Sequence, residues 1–396
     1  MPRINASPAL SHLRILDLTR VRAGPTCVRI FADFGADVIK VEMPSGTDAA
    51  DIIGGPRHGF DMQNLHRNKR SMTLNLKSPE GVDIFKKLLA TADIIVENYR
   101  PDVKARMGIG YDVLKALNKR IILASISGFG ETGPYRMRPG LDQIAQGMGG
   151  LMWVTGKRGE GPMRAGAAIA DSSSGNYAAI GILIALAERE RSGEGQWVTT
   201  SLLQAQIAMM DFQAARYLVE GDVPEQVGND HPYVTPTGAF ETSDGFINIA
   251  LGQKQWKAFC GLLGQPELAG HPDYVSQDAR YRHRDKLTEI IATAFGKKSS
   301  ADWLELLEKA SVPAGPIYHM DEVFDDPQVK HLRMAVPVTH PVSGDIHLVG
   351  EPVNLSRTPA EIVAPVAEMG EHTEEILAEI GIGGADVGRL RANKVI

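Results

Sequence analysis

The feature that most limits how this chain can fold is a strand, helix, strand pattern within its first 42 residues. Residues 13–18 (LRILDL) form a short apolar run typical of a buried strand. The loop TRVRAGP follows, and residues 26–35 (TCVRIFADFG) have the apolar spacing of a helix before a second strand-like run, ADVIKVE. Strands connected through a helix lie parallel in one sheet. The pattern predicts an α/β protein whose sites lie in the loops that follow the strands.

The same alternation continues along the next hundred residues. Strand-like runs stand at residues 71–76, 93–99 and 120–128, and a helix is expected over residues 78–92 with Ser78 as its N-terminal cap. None of these strands is followed by the G-x-G-x-x-G loop of dinucleotide-binding proteins. A nicotinamide or flavin site therefore has no support in this sequence.

The length of 396 residues exceeds what one hydrophobic core usually serves. A long helix is expected from Leu202 to about Gly221, after which turn-forming residues dominate and a smaller α+β unit begins. We expect a large domain whose first segment is residues 1–225, a small domain over 226–325, and a return segment of the large domain over 326–396.

Composition excludes several classes of function. The formal net charge of −6 gives no general basic field, so neither nucleic acid nor an anionic membrane surface is expected as a partner. The two cysteines, Cys27 and Cys260, lie far apart without C-x-x-C spacing, which supports neither a disulfide framework nor a zinc site. With no apolar run of membrane-spanning length and no signal-peptide pattern, we expect a cytoplasmic protein.

A single acid, Asp171, stands before a Ser-Ser-Ser-Gly run and a long apolar stretch. Serine and glycine favour helix starts, so Asp171 is expected in the turn that enters a helix, and the apolar residues 178–187 predict a buried helix. The sequence leaves two interpretations open. Asp171 is either a structural cap or an anionic nucleophile held at the positive end of the helix.

Basic loops follow several of the predicted strands. Each could bind phosphate or carboxylate, or could be solvated surface, and the second interpretation is the ordinary one for an isolated cluster. The clusters are Arg20 and Arg22, residues 68–71 (NKRS) with Lys77, and Asn98 and Tyr99 with Arg100 and Arg106.

Other forms of catalysis have little support. The 11 histidines show no metal-ligand spacing, no G-x-S-x-G elbow is present, and we expect no metal. Asp142 and Asp171 are the acids that separate loops of one domain could bring together.

Nine segments, taken in order, resemble the class III CoA-transferase family, which includes formyl-CoA transferase and L-carnitine CoA-transferase-like proteins. The resemblance runs from about residue 12 to the end, and its segments are LDLTRVRAGP, GADVIKVE, NKRSMTLNLKSPEG, VENYRPDV, SISGFGETGPY, ADSSSG, GEGQWV, PAGPIYHMDEVFDDP and GEHTEEIL. It implies a Rossmann-like large domain formed by both chain ends, a small α+β domain and an interlocked homodimer.

The resemblance also implies functions for particular residues. The family's nucleophile, which attacks an acyl-CoA thioester, matches Asp171, with Ala170 where glycine is common. No tightly bound cofactor is implied, because CoA and acyl-CoA are substrates. CoA would run along Val21, Ala23, Leu74, Lys77, Asn98, Tyr99, Arg106 and Met107, with Lys77 and Arg106 on its phosphates. Arg22, Leu141 and Asp142 would contact the acyl group or the carboxylic acid.

We expect the helix start to keep the Asp171 carboxylate ionised and to supply N–H donors to oxyanions. Arg22 would suit the distal carboxylate of a dicarboxylic acid such as succinate, malate, mesaconate or glutarate. Oxalate is not favoured, because the glycine-rich loop of formyl-CoA:oxalate enzymes is missing.

Two alternatives remain. An α-methylacyl-CoA racemase would carry Gly-His-Asp where this chain has Gly140-Leu141-Asp142, and leucine cannot carry a proton. A non-catalytic acyl-CoA-binding protein would retain the fold without turnover.

Overall fold

The computed structural model describes residues 4–46 and 55–396. They group into two compact units. The first contains the described residues up to Leu151, Arg164–Asp222 and Lys330–Ile396, and the second contains Met152–Met163 and Val223–Val329. The expected borders after residues 225 and 325 would leave residues 152–163 in the large domain, whereas here that segment groups with the second unit.

The first unit is built on a six-stranded sheet in which all neighbouring strands are parallel. Its strands are β1 (Arg14–Asp17), β2 (Asp37–Glu42), β3 (Arg70–Thr73), β4 (Ile94–Glu97), β5 (Ile122–Ser127) and β6 (Trp197–Ser201). The order is β3-β2-β1-β4-β5-β6, so the direction of winding reverses between β1 and β4. This is the strand order of Rossmann-type sheets, and ligands bind at the carboxyl ends of the strands beside such a reversal. The parallel α/β class predicted from the opening pattern is confirmed.

Helices cover both faces of this sheet because alternate side chains of its strands point to opposite sides. Leu16 of β1 belongs to a core that includes Phe85 and Leu377, whereas its neighbour Ile15 packs with Phe31 and Ile182. The helices of the chain up to residue 220 are α1 (Ala23–Asp33), α2 (Phe60–His66), α3 (Pro79–Leu89), α4 (Pro101–Arg106), α5 (Tyr111–Leu117), α6 (Asp142–Met148), α7 (Leu151–Val154), α8 (Ile169–Ser192), α9 (Leu202–Met209) and α10 (Asp211–Glu220).

The second unit has a three-stranded antiparallel sheet, β7-β8-β9, with helices around an aromatic core that includes Trp256, Phe295 and Trp303. Its strands are β7 (Thr237–Glu241), β8 (Phe246–Ala250) and β9 (Ala314–Pro316). The helices from residue 256 to 331 are α11 (Trp256–Leu262), α12 (Gln277–Arg282), α13 (Arg284–Phe295), α14 (Ser300–Lys309), α15 (Met320–Asp325) and α16 (Pro327–His331), with 3₁₀ turns at Gln253–Gln255 and Pro266–Gly270.

The C-terminal segment returns to the first unit. It contributes the antiparallel hairpin β10 (Ala335–His340) and β11 (Gly344–Val349), and the helices α17 (Thr373–Glu379) and α18 (Ala385–Ala392). Buried ion pairs hold α17 to the sheet. Glu379 accepts hydrogen bonds from Arg14 and Arg70, each at 2.6 Å, and both arginines also pair with Asp37 at 2.8 Å.

The basic run at residues 68–71 is buried, so its interpretation as solvated surface is wrong. Lys69 pairs with Asp17 at 3.0 Å, and Arg70 pairs with Asp37 as described above. Asn68 donates to Asp33 at 2.9 Å. Each group finds its partner on a strand or helix distant in sequence, which offsets the cost of its removal from water.

Helices α1 and α8 approach closely at their N-terminal ends. A Cβ atom on Gly175 would lie 2.5 Å from the carbonyl oxygen of Ala23, so no larger residue fits without displacing one helix. This contact brings the start of α8 next to the loop that leaves β1.

The expectation that residues 178–187 form a buried helix is only half correct. Ala178, Ile182 and Ala185 are buried against the sheet. The opposite face of α8 exposes apolar side chains within the first unit, among them Ile184 at 63% exposure. No helix among the described residues is long and apolar enough to cross a membrane.

Candidate active site

Asp171 lies in the first turn of α8, which starts at Ile169. The helix therefore begins three residues earlier than a cap at Asp171 would require, so the interpretation of Asp171 as the cap is wrong. The residue at the cap position is Ala168, whose side chain makes no capping hydrogen bond.

The capping carboxylate comes from another helix. Asp142, at the start of α6, accepts hydrogen bonds through Oδ1 from the backbone N–H groups of Ala170 at 2.9 Å and Asp171 at 3.3 Å. These are among the N–H groups that a helix start leaves without internal partners. The two acids that the sequence singled out are thus neighbours, but Asp142 holds the backbone of the helix on which Asp171 stands.

Gln146 fixes Asp142 in this position. Its Nε2 donates to Asp142 Oδ2 at 2.7 Å and to the carbonyl of Ala167 at 3.1 Å, while its Oε1 accepts from the N–H of Ala165 at 3.0 Å. The side chain is fully buried, and two of its three bonds tie α6 to the segment that enters α8, while the third holds Asp142 within α6. Gln146 was not selected from the sequence, because a glutamine in a short helix has no distinctive local pattern.

Burial and the nearby charge of Asp142 together raise the pKa of Asp171 to about 6, and the charge of Arg22 partly opposes them. The helix start is expected to favour the ionised form, but burial and the charge of Asp142 outweigh this effect. At neutral pH the carboxylate is mostly ionised but less stabilised than an ordinary aspartate. The charged groups that act on it are Asp142 and Arg22, and neither is a histidine.

Arg22 is the N-cap residue of α1 and forms an ion pair with Asp61 in the first turn of α2. Its Nη2 atom donates to Asp61 Oδ1 at 2.8 Å and to Oδ2 at 2.7 Å. Both side chains keep about one third of their surface exposed. Leu141, also expected at the acyl group, precedes α6 and exposes 69% of its surface.

A cavity of 430 Å³ opens where the loops after β1, β2 and β4 meet. Six of the eight residues expected along CoA line it, namely Val21, Leu74, Lys77, Tyr99, Arg106 and Met107. The other two do not. Ala23 is buried in the first turn of α1. Asn98 accepts a hydrogen bond from the N–H of Arg20 at 2.9 Å and donates to the Arg20 carbonyl at 2.7 Å, which fixes the loop after β1.

The cavity is also lined by ionisable residues that were not selected from the sequence as CoA contacts, including Arg20, Lys40, Glu42, Arg57 and His66. Arg57 donates to Glu42 Oε1 at 2.6 Å. Lys40 and Glu42 alternate along β2, so their spacing could have placed them on one face of the sheet.

Beneath this cavity lies a buried cluster of charged groups. Burial lowers the pKa of His66, and the charges of Lys69 and Lys40 lower it further, so the imidazole is neutral at pH 7. Burial opposes ionisation of Asp17 as well, but Lys69 and Lys40 outweigh it and hold the pKa of Asp17 well below its ordinary value.

One group of side chains among the described residues has the composition of a metal site: His58, His340 and Glu368. His340 Nδ1 accepts hydrogen bonds from the N–H groups of Val342 and Ser343, each at 3.0 Å. The neutral ring then carries its proton on Nε2, which leaves no lone pair there for a metal ion. The chemistry of this donor set does not fit a metal.

Comparison with known families matches residues 10–373 to "CoA-transferase family III". The chain is 39% identical to "Succinate--glutarate CoA-transferase" of Agrobacterium fabrum (strain C58 / ATCC 33970), over 95% of this chain and 96% of that one. It is 36% identical to "Succinyl-CoA--D-citramalate CoA-transferase" of Chloroflexus aurantiacus (strain ATCC 29366 / DSM 635 / J-10-fl), over 98% of each. Among solved structures, a CAIB/BAIF family protein from Brucella suis superposes with a TM-score of 0.84 at 34% identity, covering 95% of this chain and 100% of that one.

Proposed function

Because the chain belongs to CoA-transferase family III, we propose that it moves CoA from succinyl-CoA to a dicarboxylic acid through covalent intermediates on Asp171. Membership makes the protein an enzyme whose substrates include an acyl-CoA. The choice of succinyl-CoA and a dicarboxylate rests on relatives whose names specify succinate or succinyl-CoA with glutarate or citramalate. The observation that carries the proposal is one partly buried carboxylate, Asp171, beside Arg22 at the start of a helix.

The reaction starts when the Asp171 carboxylate attacks the thioester carbonyl of succinyl-CoA. The C–S bond breaks, CoA leaves as a thiolate, and a mixed anhydride joins Asp171 to succinate. The thiolate then attacks the Asp171 carbonyl, which releases succinate and forms an aspartyl-CoA thioester.

The acceptor acid reverses this sequence. Its carboxylate attacks the aspartyl thioester and expels the thiolate, leaving a second mixed anhydride. The thiolate attacks the acceptor's carbonyl, so that the new acyl-CoA leaves and the Asp171 carboxylate is restored. Each attacking species is already an anion, so no proton needs to be removed. This agrees with a site in which the groups acting on Asp171 are an acid and an arginine.

Asp142 serves this chemistry by holding the start of α8. The intermediates carry charge on tetrahedral oxygens, and backbone N–H groups are the donors that stabilise such charge. Asp142 engages the N–H groups of Ala170 and Asp171 and thereby fixes the first turn from which the nucleophile projects.

We further propose that the cavity beside β1, β2 and β4 binds CoA. Lys77 and Arg106 line it and supply positive charge for phosphate groups, and Tyr99 supplies an aromatic face for the base. Val21, Leu74 and Met107 supply apolar contacts. We place Arg22 and Asp142, with Leu141, on the side of the acyl group.

We also propose a homodimer with interlocked subunits in which the two compact units are the family's large and small domains. Support comes from the apolar side chains that α8, α9 and α10 expose within the first unit, a patch of the kind that marks protein interfaces. They include Tyr177, Ile180, Leu183, Ile184, Ile207, Phe212 and Leu218.

A cytoplasmic location is proposed from the cysteines. Cys27 and Cys260 are free and buried, and burial raises the pKa of the Cys27 thiol. Unpaired thiols of this kind suit a reducing compartment.

The covalent step gives the direct test. Incubation with succinyl-CoA and hydroxylamine, followed by mass spectrometry of the digested protein, is expected to show modification at Asp171 only. The Asp171→Ala variant is expected to lose CoA transfer to glutarate completely while keeping its fold. Turnover by that variant, or labelling at another residue with Asp171 intact, would contradict the proposal.

A further inference from the structure

The ion pair between Arg22 and Asp61 occupies the arginine that the proposed function assigns to the acceptor's distal carboxylate. Both carboxylate oxygens of Asp61 lie within 2.8 Å of Arg22 Nη2. A carboxylate at hydrogen-bonding distance from a guanidinium is the arrangement that a dicarboxylate substrate would make. Asp61 therefore stands where a group of the substrate is expected.

The pair is not locked in place. Each side chain keeps about one third of its surface exposed, and exposed ion pairs of this kind contribute little net stability. Asp61 lies in the first turn of α2 and makes no other side-chain hydrogen bond or ion pair with the described part of the chain. Nothing seen there prevents it from releasing the arginine.

Arg22 has donors to spare. Among the described residues, its Nε and Nη1 atoms donate to no protein group, while its charge still acts on the carboxylate of Asp171. Arg22 thus interacts with two acids, by hydrogen bonds with Asp61 on α2 and through its charge with Asp171 on α8. A substrate carboxylate can bind the arginine by adding to these donors or by exchanging with Asp61.

Exchange is the better-balanced process. If a substrate carboxylate simply added, two carboxylates would crowd one guanidinium, and like charges at such distances oppose each other. If Asp61 moves aside into water, one carboxylate replaces another and Arg22 keeps a single partner throughout. The reaction also passes through a stage, the aspartyl-CoA thioester, at which no acid occupies the site and Arg22 needs an internal partner.

We propose that Asp61 is a specificity-determining residue that exchanges with the substrate's distal carboxylate on Arg22. The proposal rests on the proposed function of Arg22 and deepens it. Asp61 competes with dicarboxylates, which weakens their binding. It also neutralises Arg22 when the bound acyl group has no distal carboxylate, which allows such groups to bind without an unpaired charge beside them.

The test compares wild type with Asp61→Asn, which keeps the size of the side chain and removes its charge. With succinyl-CoA saturating, CoA transfer is measured to glutarate and to pentanoate, which has the same chain length but one carboxylate. Because the competing ion pair is of the exposed kind, the KM for glutarate is expected to fall about 2- to 5-fold and that for pentanoate to rise. Asp61→Ala should move both constants in the same directions.

A second readout does not depend on the acceptor. Without Asp61, the charge of Arg22 acts on Asp171 unopposed, so the pKa of that carboxyl falls. The acidic limb of kcat/KM for succinyl-CoA is therefore expected to move to lower pH in Asp61→Asn. As a matched control, Glu305→Gln removes a carboxylate from an exposed pair with Lys309 in the second unit and should change neither readout.

The outcomes distinguish failure of the Asp61 exchange from failure of the proposed dicarboxylate specificity. A rise in the KM for glutarate in Asp61→Asn would show that Asp61 orients Arg22, and unchanged constants with an unchanged pH limb would show that it has no function there. Either result overturns the exchange. The dicarboxylate assignment fails on different evidence: a wild type that transfers CoA to pentanoate but not to glutarate, or Arg22→Leu impairing both acceptors equally.

Discussion

At the scale of single residues, Asp171 is held by opposing effects. The first turn of a helix favours an anion, whereas burial and the charge of Asp142 disfavour it. Burial and Asp142 dominate, because the pKa of Asp171 is raised to about 6. A carboxylate that its surroundings stabilise less than water would is a stronger nucleophile at neutral pH. The protein therefore maintains a reactive anion at some cost to its own stability.

This cost makes a prediction for Asp171→Asn. Because folding raises the pKa above the ordinary value for aspartate, ionisation of Asp171 destabilises the folded state relative to the unfolded state. This destabilisation is complete above about pH 6 and small near pH 4. The amide resembles the protonated acid. We expect the variant to exceed wild type in free energy of unfolding by on the order of 1–2 kcal/mol at about pH 8.

Urea unfolding of both proteins at about pH 8 and pH 4 measures this difference, which should shrink at the lower pH. Glu305→Gln, at an exposed carboxylate, should differ little from wild type at either pH. An Asp171→Asn advantage that is absent, or equal at both pH values, would contradict the pKa assigned to Asp171.

The limits of the sequence are clear at this scale. Asp171 and Asp142 could be selected from it, yet their relation could not, because the N–H groups that Asp142 caps belong to a helix 28 residues further on. The burial of residues 68–71 could not be predicted for the same reason. Their acidic partners lie on β1, β2 and α1, and no local pattern reveals them.

At the scale of elements, the contact between α1 and α8 positions Asp171 relative to the loop after β1. We expect Gly175→Ala to lower the free energy of unfolding by about 1–3 kcal/mol, because its Cβ would meet the backbone of Ala23 and one helix must shift. The same shift moves Asp171 away from Arg22, so kcat should fall as well.

Gly388→Ala is the matched control. It lies in α18 with open space around its Cβ, so the substitution should be neutral or stabilising by up to about 1 kcal/mol. Thermal or urea unfolding with initial-rate assays on both variants gives the comparison. Equal stability and activity for the two variants would refute the role of close helix packing.

Elements with a clear apolar pattern and a clear start could be predicted. The strand–helix–strand opening is confirmed as β1, α1 and β2, and Ser78 caps α3 by accepting from the N–H of Gly81 at 3.0 Å. The single helix expected after Leu202 is wrong, because Asp211 adopts a positive φ of 41° and separates α9 from α10. Strand β6 was not expected, since its exposed and half-buried residues lack the continuous apolar run of the central strands.

At the scale of the whole molecule, the exposed apolar face of α8 gives a prediction about assembly. Sedimentation or light scattering should give a mass about twice the 42.9 kDa of one chain. Ile184→Asp places a charge on this face and should reduce the mass toward that of a monomer at low micromolar concentration.

Leu117→Asp, which alters a similarly exposed side chain on α5, should leave the dimer intact. A wild type that sediments as a monomer would rule out the dimer. If the measured mass falls equally in both variants, the exposed face of α8 is not the specific dimer interface.

The fold class of the whole molecule could be predicted because a parallel sheet follows from repeated strand–helix patterns. The borders of its units were harder to predict, because residues 152–163 group with residues that are distant along the chain. Grouping of that kind depends on tertiary contacts rather than on local periodicity.

The ion pairs between α17 and the sheet have a consequence for the order in which the chain folds during synthesis. Arg14 and Glu379 are 365 positions apart, so the ribosome completes β1, β2 and β3 long before their last carboxylate partner emerges. Until then the two arginines Arg14 and Arg70 share a single carboxylate, that of Asp37. One positive charge therefore lacks a partner, which makes burial of both arginines costly. The second unit draws most of its residues from the continuous stretch Val223–Val329, so it can fold on the ribosome while the first unit still awaits α17.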